Sequence, residues 1–198
     1  MERLLLARHA ESAYSARGIV NGDPTVNVGL TPKGEQQALE LQRELADEPL
    51  DLCVVSSFPR CNRTAEIVLF GREVWIVEMK DFDEPRYGRL FEGRELELYQ
   101  KWAWTKGSRD EPSEGESRLS AIDRYSRAYH DLLHRPGGTI LAVVHALPIA
   151  YLMLALKGEP PRQRVDLPVE YAKPITVLPE DLARALKVID RWRAAPDW

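Results

Sequence analysis

The stretch Leu4-Leu5-Leu6-Ala7-Arg8-His9-Ala10-Glu11-Ser12 decides how the rest of the chain is interpreted. Its four apolar residues predict a buried β-strand, because they lack the polar alternation of a half-exposed strand. An arginine and a histidine follow at the point where that strand should end. Alone, this pair fits a solvated loop, so its meaning depends on whether other polar residues converge on the same place.

The composition is that of an ordinary globular protein. The chain of 198 residues is long enough for one substantial core and too short for two. Its residues are 44% hydrophobic and 29% charged, which is ordinary for a globular protein. We therefore expect a single domain over residues 1–198. The net charge of −4 argues against a nucleic-acid-binding surface, which is normally basic.

Cysteine use and hydropathy predict a cytoplasmic protein. Cys53 and Cys61 are too far apart for a CxxC motif, and a chain of this size needs no disulfide, so a reducing compartment is expected. No apolar secretory segment is visible at the N-terminus. The apolar run 140–156 contains His145 and Pro148, which favours a buried strand followed by a buried helix over a membrane span.

Short apolar strands alternate with helices along the chain. Strands with both faces covered are predicted at residues 3–7, 52–56, 74–79 and 139–144, and a further strand is predicted at 175–178. Helices are expected at about 31–48, from 59, at 117–133 and at 146–156, while the segment 181–192 fits either state. This alternation predicts an α/β fold, a three-layer α/β/α sandwich with a mainly parallel sheet. The irregular region at about 90–116 reads as an excursion over the sheet edge, where segments that cover an active site are common.

Polar side chains follow each predicted parallel strand. Ligands of parallel α/β sheets bind beyond the carboxyl ends of the strands, so these side chains should meet at one edge. In chain order they are Arg8 and His9; Ser56, Ser57 and Arg60; Glu84, Arg86 and Arg89; and His145. Two histidines, several arginines and a carboxyl group at one edge are far harder to attribute to chance than the Arg8-His9 pair alone.

This set of groups suits phosphoryl transfer through a covalent histidine. A neutral imidazole attacks phosphorus, and neighbouring arginines disfavour its protonation. Arginines also bind phosphate oxygens in bidentate fashion, and a second, protonated histidine would stabilise their developing charge. A carboxylic acid can protonate the leaving alkoxide. The arginines supply the positive charge, so we expect no metal and no other cofactor.

Six segments in the same order along the chain resemble motifs of the histidine phosphatase superfamily, also called the phosphoglycerate mutase-like family. The first resembles the signature Arg-His-Gly-Glu-Ser/Thr, and the second resembles L-T-x-x-G-x-x-Q-A. The six are Leu6–Ser12, Leu30–Ala38, Val55–Ala65, Phe82–Gly93, Glu114–Ser117 and Val143–His145. The resemblance covers most of the chain and implies the phosphoglycerate mutase-like fold.

The resemblance also implies roles for individual residues. It makes His9 the phosphorylated nucleophile and Glu84 the proton donor. Arg8, Arg60 and His145 would surround the phosphoryl group.

Three residues depart from the family pattern. Ala10 and Ala146 replace the glycines that usually follow the two histidines, which should narrow the space there. Ser15 stands where family members often have asparagine, and its hydroxyl is a weaker candidate for binding the phosphoryl group.

The predicted function is hydrolysis of a small phosphorylated metabolite. The segment 13–18 lacks the Trp-Asn and Asn-Arg pattern of cofactor-dependent phosphoglycerate mutases, which remain the main alternative. A non-catalytic phosphate-binding protein is a further alternative. Specificity is expected from Arg86, Arg89 and the 90–116 excursion. His130 and His134 are expected to be a solvated pair rather than a zinc site. The oligomeric state is not readable, and a homodimer is kept as a candidate.

Overall fold

Five strands alternate with six helices in the computed structural model, which describes residues 1–198. The strands are β1 (Arg3–Arg8), β2 (Leu52–Val55), β3 (Trp75–Glu78), β4 (Thr139–Val144) and β5 (Pro174–Val177). The helices are α1 (Pro32–Glu44), α2 (Pro59–Val68), α3 (Leu96–Ala103), α4 (Arg118–His134), α5 (Ala146–Leu156) and α6 (Pro179–Ala194).

The strands form one sheet in the order β3-β2-β4-β1-β5. Strands β1 to β4 run parallel, and β5 is antiparallel to β1. In the register of the central strands, Arg8 lies opposite Val144 and Val55 lies opposite Val143. The carboxyl ends of β1, β2 and β4 therefore reach the same edge of the sheet, as the mainly parallel α/β prediction requires.

Alternate residues of β1 divide the core into two halves. Leu4 and Leu6 pack in a cluster with apolar residues of α4, α5 and α6. Leu5 and Ala7 point the other way and pack with residues of α1 and α2. Helices thus cover both faces of the sheet, and the predicted three-layer sandwich is confirmed.

Three expectations about individual segments are settled by the structure. The run 140–156 forms β4 and α5, as predicted, and no helix of the protein is both long and apolar enough to span a membrane. The ambiguous segment 181–192 belongs to α6. The prediction of two covered faces is wrong for β3, because this edge strand leaves Trp75 82% and Ile76 44% exposed.

The start of α1 is fitted tightly against the loop that follows His9. The Thr31 hydroxyl caps the helix by accepting a hydrogen bond from the Gly34 N–H at 2.9 Å, as the sequence indicates. A Cβ atom on Gly34 would stand 2.0 Å from the backbone oxygen of Glu11. Only glycine allows this approach, which fixes the position of the loop.

Candidate active site

The carboxyl ends of β1 and β4 bring two histidines together. His9 directly follows β1, and His145 directly follows β4. The backbone N–H of His9 donates to the Val144 carbonyl at 2.8 Å, so the parallel ladder continues to the histidine. Both side chains are buried, and their ring centroids are 5.2 Å apart.

Hydrogen bonds fix the tautomer of His9. Its Nδ1 lies 2.7 Å from the Ala10 carbonyl oxygen, which only accepts, so Nδ1 carries the proton and donates. The lone pair on Nε2 accepts a hydrogen bond from Nε of Arg60 at 3.1 Å. Burial, and then the charges of Arg60 and Arg8, hold the pKa of His9 well below its usual value. His9 is therefore a neutral imidazole with its lone pair on Nε2, which is the nucleophilic form.

Arg60 places a buried positive charge against both histidines. It lies in the first turn of α2 and is 5% exposed. Its Nη1 donates to Oδ1 of Asn21 at 2.5 Å, and its Nη2 donates to the Asn21 carbonyl at 3.2 Å. Nη2 also lies 3.3 Å from Nδ1 of His145. None of these partners is a carboxylate, so the charge of Arg60 is free to bind an anion.

Arg8 adds a second guanidinium with unused hydrogen-bonding capacity. Its Nη1 donates to the Val169 carbonyl at 2.9 Å, and its guanidinium carbon lies 3.8 Å from the ring centroid of Tyr171. Its Nε is buried and has no hydrogen-bond partner. A buried donor without an acceptor is costly, and an anionic oxygen would relieve that cost.

His145 lies behind this surface and contacts a carboxylate. It is fully buried and does not line the pocket described below. Its Nε2 is 2.7 Å from Oγ of Ser56, and its Nδ1 is 3.2 Å from Oε2 of Glu84. Burial, followed by the charge of Arg60, holds the pKa of His145 well below its usual value. The protonated form considered from the sequence would therefore require the negative charge of a bound ligand.

Glu84 is held from both its side chain and its backbone. The Tyr87 hydroxyl donates to Oε1 of Glu84 at 2.7 Å. Arg124 donates to the Glu84 carbonyl at 3.2 Å and forms an ion pair with Glu116 at 2.8 Å. Glu116 belongs to the Glu114–Ser117 motif, so this motif positions the carboxyl group rather than contacting a ligand itself.

Arg8, His9, Arg60 and Glu84 line one pocket of about 550 Å³. We call these four residues and His145 the phosphoryl cluster, although His145 lies behind the pocket surface. The side wall is made of residues from α3, the position directly after α3, α4 and the segment after α5, namely Leu96, Tyr99, Trp104, Arg118, Val165 and Leu167. Most of this wall is apolar.

Ser15 lines the pocket, but its hydroxyl is engaged within its own turn. It donates to the Ser12 carbonyl at 3.1 Å and accepts from the Ser12 N–H at 2.9 Å. Binding a phosphoryl group through this proton would require the turn to open.

Sequence reasoning missed some residues of the site and misplaced others. Asn21 orients Arg60, and Tyr87 orients Glu84; the spacing Glu-x-x-Tyr was the only signal for Tyr87, and Asn21 had none. Contrary to expectation, Arg86 and Arg89 do not line the pocket. Arg89 is instead an exposed residue 3.9 Å from Glu114.

The structure brings together no group of three or more His, Cys, Asp or Glu side chains suited to a metal ion. His130 hydrogen bonds to Asp190 at 2.7 Å, and His134 is exposed on the same helix. These two histidines lie outside the phosphoryl cluster.

Comparisons with known proteins agree with this geometry. A family model described as "Histidine phosphatase superfamily (branch 1)" matches residues 4–191. The 2-carboxy-D-arabinitol-1-phosphatase of Triticum aestivum is 30% identical over 152 residues, which is 73% of this chain. This chain spans only 30% of the length of the wheat protein.

Two further matches cover most of both partners. The 2,3-bisphosphoglycerate-dependent phosphoglycerate mutase of Bartonella henselae is 28% identical over 178 residues, covering 80% of this chain and 83% of the mutase. The solved structure of YhfR from Bacillus stearothermophilus superposes with a TM-score of 0.76 at 26% identity. That superposition covers 88% of this chain and 89% of YhfR.

Proposed function

Because the chain belongs to the histidine phosphatase superfamily, we propose that it hydrolyses phosphomonoesters of small metabolites through a phosphohistidine at His9. The observation that carries the proposal is the state of His9. Its imidazole is buried and neutral, and its Nε2 lone pair faces the uncompensated guanidinium of Arg60. Nucleophile and anion-binding charge are thus adjacent before any substrate arrives.

In the first step, Arg60 and Arg8 bind the phosphoryl oxygens. Nε2 of His9 then forms a bond to phosphorus while the bond from phosphorus to the ester oxygen breaks. The leaving oxygen takes a proton from the carboxylic acid of Glu84. His145 lies 3.2 Å from this carboxyl group. The negative charge of the bound dianion favours the protonated form of His145, which takes up a proton from solvent, stabilises the charge of the transferred group and loses that proton when phosphate leaves.

In the second step, a water molecule replaces the departed alcohol. Glu84, now ionised, takes a proton from this water as its oxygen bonds to phosphorus. The bond from phosphorus to His9 Nε2 breaks, inorganic phosphate leaves, and both side chains return to their starting states.

The intermediate provides the direct test. After rapid mixing with p-nitrophenyl phosphate and an alkaline quench, mass spectrometry should find one phosphoryl group on the peptide containing His9. Its acid lability would distinguish it from phosphoserine. Turnover without any labelled histidine, or a label on another residue, would contradict the mechanism.

We further propose that the reaction needs no metal ion, because Arg8 and Arg60 supply the positive charge beside His9. Activity should survive dialysis against EDTA unchanged. A loss that added divalent cation restores would overturn this part of the proposal. Magnesium added without prior chelation serves as the control for ionic strength.

Phosphoglycerate mutase activity is the second candidate, and the match to the Bartonella henselae mutase favours it. Against it, the segment 13–18 lacks the Trp-Asn and Asn-Arg pattern associated with that activity. Conversion of 3-phosphoglycerate should be slow with or without added bisphosphate, while phosphate release proceeds. Fast, bisphosphate-dependent interconversion would reverse the order of the two candidates.

Four wider predictions go with this function. Residues 1–198 act as one catalytic domain, and the 90–116 excursion covers the pocket through α3.

The cytoplasm is the proposed location, in keeping with two free, buried cysteines. A homodimer is the proposed assembly, supported by the exposed Trp75 on the edge strand β3 and by the exposed Phe70. Light scattering at working concentration tests the last point, and a monomer mass would contradict it.

A further inference from the structure

A third arginine of the pocket is not part of the phosphoryl cluster. Arg118 is the first residue of α4 and lines the pocket. Its Nη1 donates to the Tyr151 hydroxyl at 2.9 Å and to the Gln163 carbonyl at 3.3 Å, and its Nε lies 3.5 Å from the Tyr99 hydroxyl. Its Nη2 has no protein partner and keeps some solvent accessibility. Two N–H groups therefore remain available.

Arg124, six residues further along the same helix, has the contacts of a structural arginine. It forms a close ion pair with Glu116 and donates to three backbone carbonyls. Arg118 forms no ion pair, although the carboxylates of Glu84 and Glu170 line the same pocket. A guanidinium is always charged, and a partly buried charge without a counterion is unfavourable. Arg118 thus carries an unmatched positive charge in a largely apolar wall.

We propose that Arg118 binds a second oxyanion of the substrate, either a carboxylate or a second phosphate. The substrates would then be phosphomonoesters with two anionic groups at opposite ends. This inference rests on the proposed function, because it takes the phosphoryl cluster as the site of the first anion. It adds a feature that the reaction itself does not require.

Helix α5 runs along the pocket between the phosphoryl cluster and Arg118. His145 precedes the helix, Ala146, Leu147 and Ala150 line the pocket, and the Tyr151 hydroxyl contacts Arg118. With a rise of 1.5 Å per residue, the backbone from His145 to Tyr151 spans roughly 9 Å. The apolar side chains along this stretch favour an apolar or weakly polar spacer between the two charges, and its length is the variable of the test below.

Binding of inert analogues tests the inference without turnover. The probes are ω-carboxyalkylphosphonates of increasing chain length, whose phosphorus–carbon bond cannot be hydrolysed, with their methyl esters as matched neutral partners. Alkane-α,ω-bisphosphonates form a second arm, which decides between a carboxylate and a phosphate as the second group. Dissociation constants are measured by titration calorimetry. At the favoured length, the wild-type protein should bind the better charged probe roughly tenfold or more tightly than the methyl ester, as expected for a charge-assisted hydrogen bond.

Substitutions then locate the preference. Arg118→Met should abolish it, and Arg118→Lys should retain part of it. The exposed Arg109→Met removes the same charge elsewhere on the surface and should leave the preference unchanged. Tyr151→Phe removes a hydrogen bond to Arg118 but not its charge, so it should also retain the preference. If Arg118 had only a structural role, Tyr151→Phe and Arg118→Met would have the same effect on the preference for the charged probe.

The outcomes separate this inference from the proposed function. Equal binding of charged and neutral probes by the wild-type protein at every length overturns the inference, whether or not any variant folds. An unchanged preference in Arg118→Met overturns it as well. Binding preference through Arg118 without hydrolysis of any phosphomonoester would sustain the inference and remove the proposed reaction.

Discussion

The phosphoryl cluster and the side wall belong to the same pocket but are built in different ways. Apart from Glu84, which lies in the loop after β3, the cluster comes from strand ends and the first turn of a helix, where His9, Arg60 and His145 are at most 5% exposed. Each of these three side chains makes several hydrogen bonds to its neighbours. The side wall comes from helices and loops that lie far apart in sequence. Its contacts include a cation–π pair, in which the guanidinium of Arg164 lies 4.9 Å from the Trp104 ring centroid.

This difference separates chemistry from selection. The sheet positions the reacting groups, so changes there should affect every substrate and should act on kcat. The side wall touches the rest of the substrate, so changes there should affect some substrates and act on KM. A side-wall substitution that lowered kcat for every substrate, or a cluster substitution that changed only KM, would show that the two regions do not act separately.

The largest effect is expected at His9. His9→Ala removes the nucleophile, and turnover should fall roughly a thousandfold or more for activated and unactivated esters alike. Steady-state assays with p-nitrophenyl phosphate and glycerol phosphate measure this fall. The exposed His134→Ala is the matched control and should keep full activity. Substantial residual turnover in His9→Ala would break the assignment of the chemistry to the cluster.

A large but selective effect is expected at Glu84. Glu84→Gln keeps an acceptor for the Tyr87 hydroxyl but cannot protonate a leaving group. The value of kcat/KM reports the steps up to the phosphohistidine and so excludes the water step, in which Glu84 also acts. In kcat/KM, esters with poor leaving groups should slow by about a hundredfold or more, and p-nitrophenyl phosphate much less. The dependence of kcat/KM on leaving-group pKa should therefore steepen in the variant. An identical fall in kcat/KM for all esters would remove Glu84 from the acid role.

Much of the phosphoryl cluster could be predicted because its geometry is local to the strands. The apolar runs before His9 and His145 each end at a histidine, and parallel strands deliver their ends to one edge. The same logic placed Arg60 in the first turn after β2. Hydrogen-bond partners such as Asn21 could not be predicted, because that residue lies in a loop whose sequence has no periodicity from which to place it.

The side wall could not be predicted, because its contacts join distant loops. Arg118 meets Tyr151 and Gln163 across 33 and 45 positions of sequence, and no pattern in the chain records that meeting. From charge alone, Arg86 and Arg89 were as good candidates for substrate specificity as Arg118, yet neither of them lines the pocket. The error at β3 has a related cause: an apolar run reveals a strand but not whether that strand lies at the edge of its sheet.

A smaller effect concerns stability between neutral and mildly acidic pH, to which the two buried histidines of the cluster should contribute. The folded protein holds the pKa values of His9 and His145 well below their usual range, mainly through burial. As the pH falls below about 6.5, the unfolded chain therefore takes up protons that the folded chain does not. The free energy of unfolding should drop by roughly 1.4 kcal/mol per pH unit for each histidine.

Urea denaturation at pH values between neutral and mildly acidic measures this slope. His9→Gln should reduce it by about one proton, whereas the exposed His134→Gln should not. Arg118→Met, in the side wall, should leave the slope unchanged because its guanidinium does not titrate in this range. An equal slope in His9→Gln and the wild-type protein would mean that the buried histidine does not resist protonation.

The smallest effect is expected at Trp104, in the side wall. This residue lines the pocket and packs against Arg164, and it forms no hydrogen bond with the phosphoryl cluster. Trp104→Ala should raise KM a few-fold for esters large enough to reach it and leave kcat unchanged, since lost packing affects ground state and transition state alike. Phosphoesters of increasing size, assayed side by side, should show a rising ratio of wild-type to variant kcat/KM. A fall in kcat for the smallest ester would instead mean that the side wall positions the reacting groups, and the two regions would then have to be treated as one.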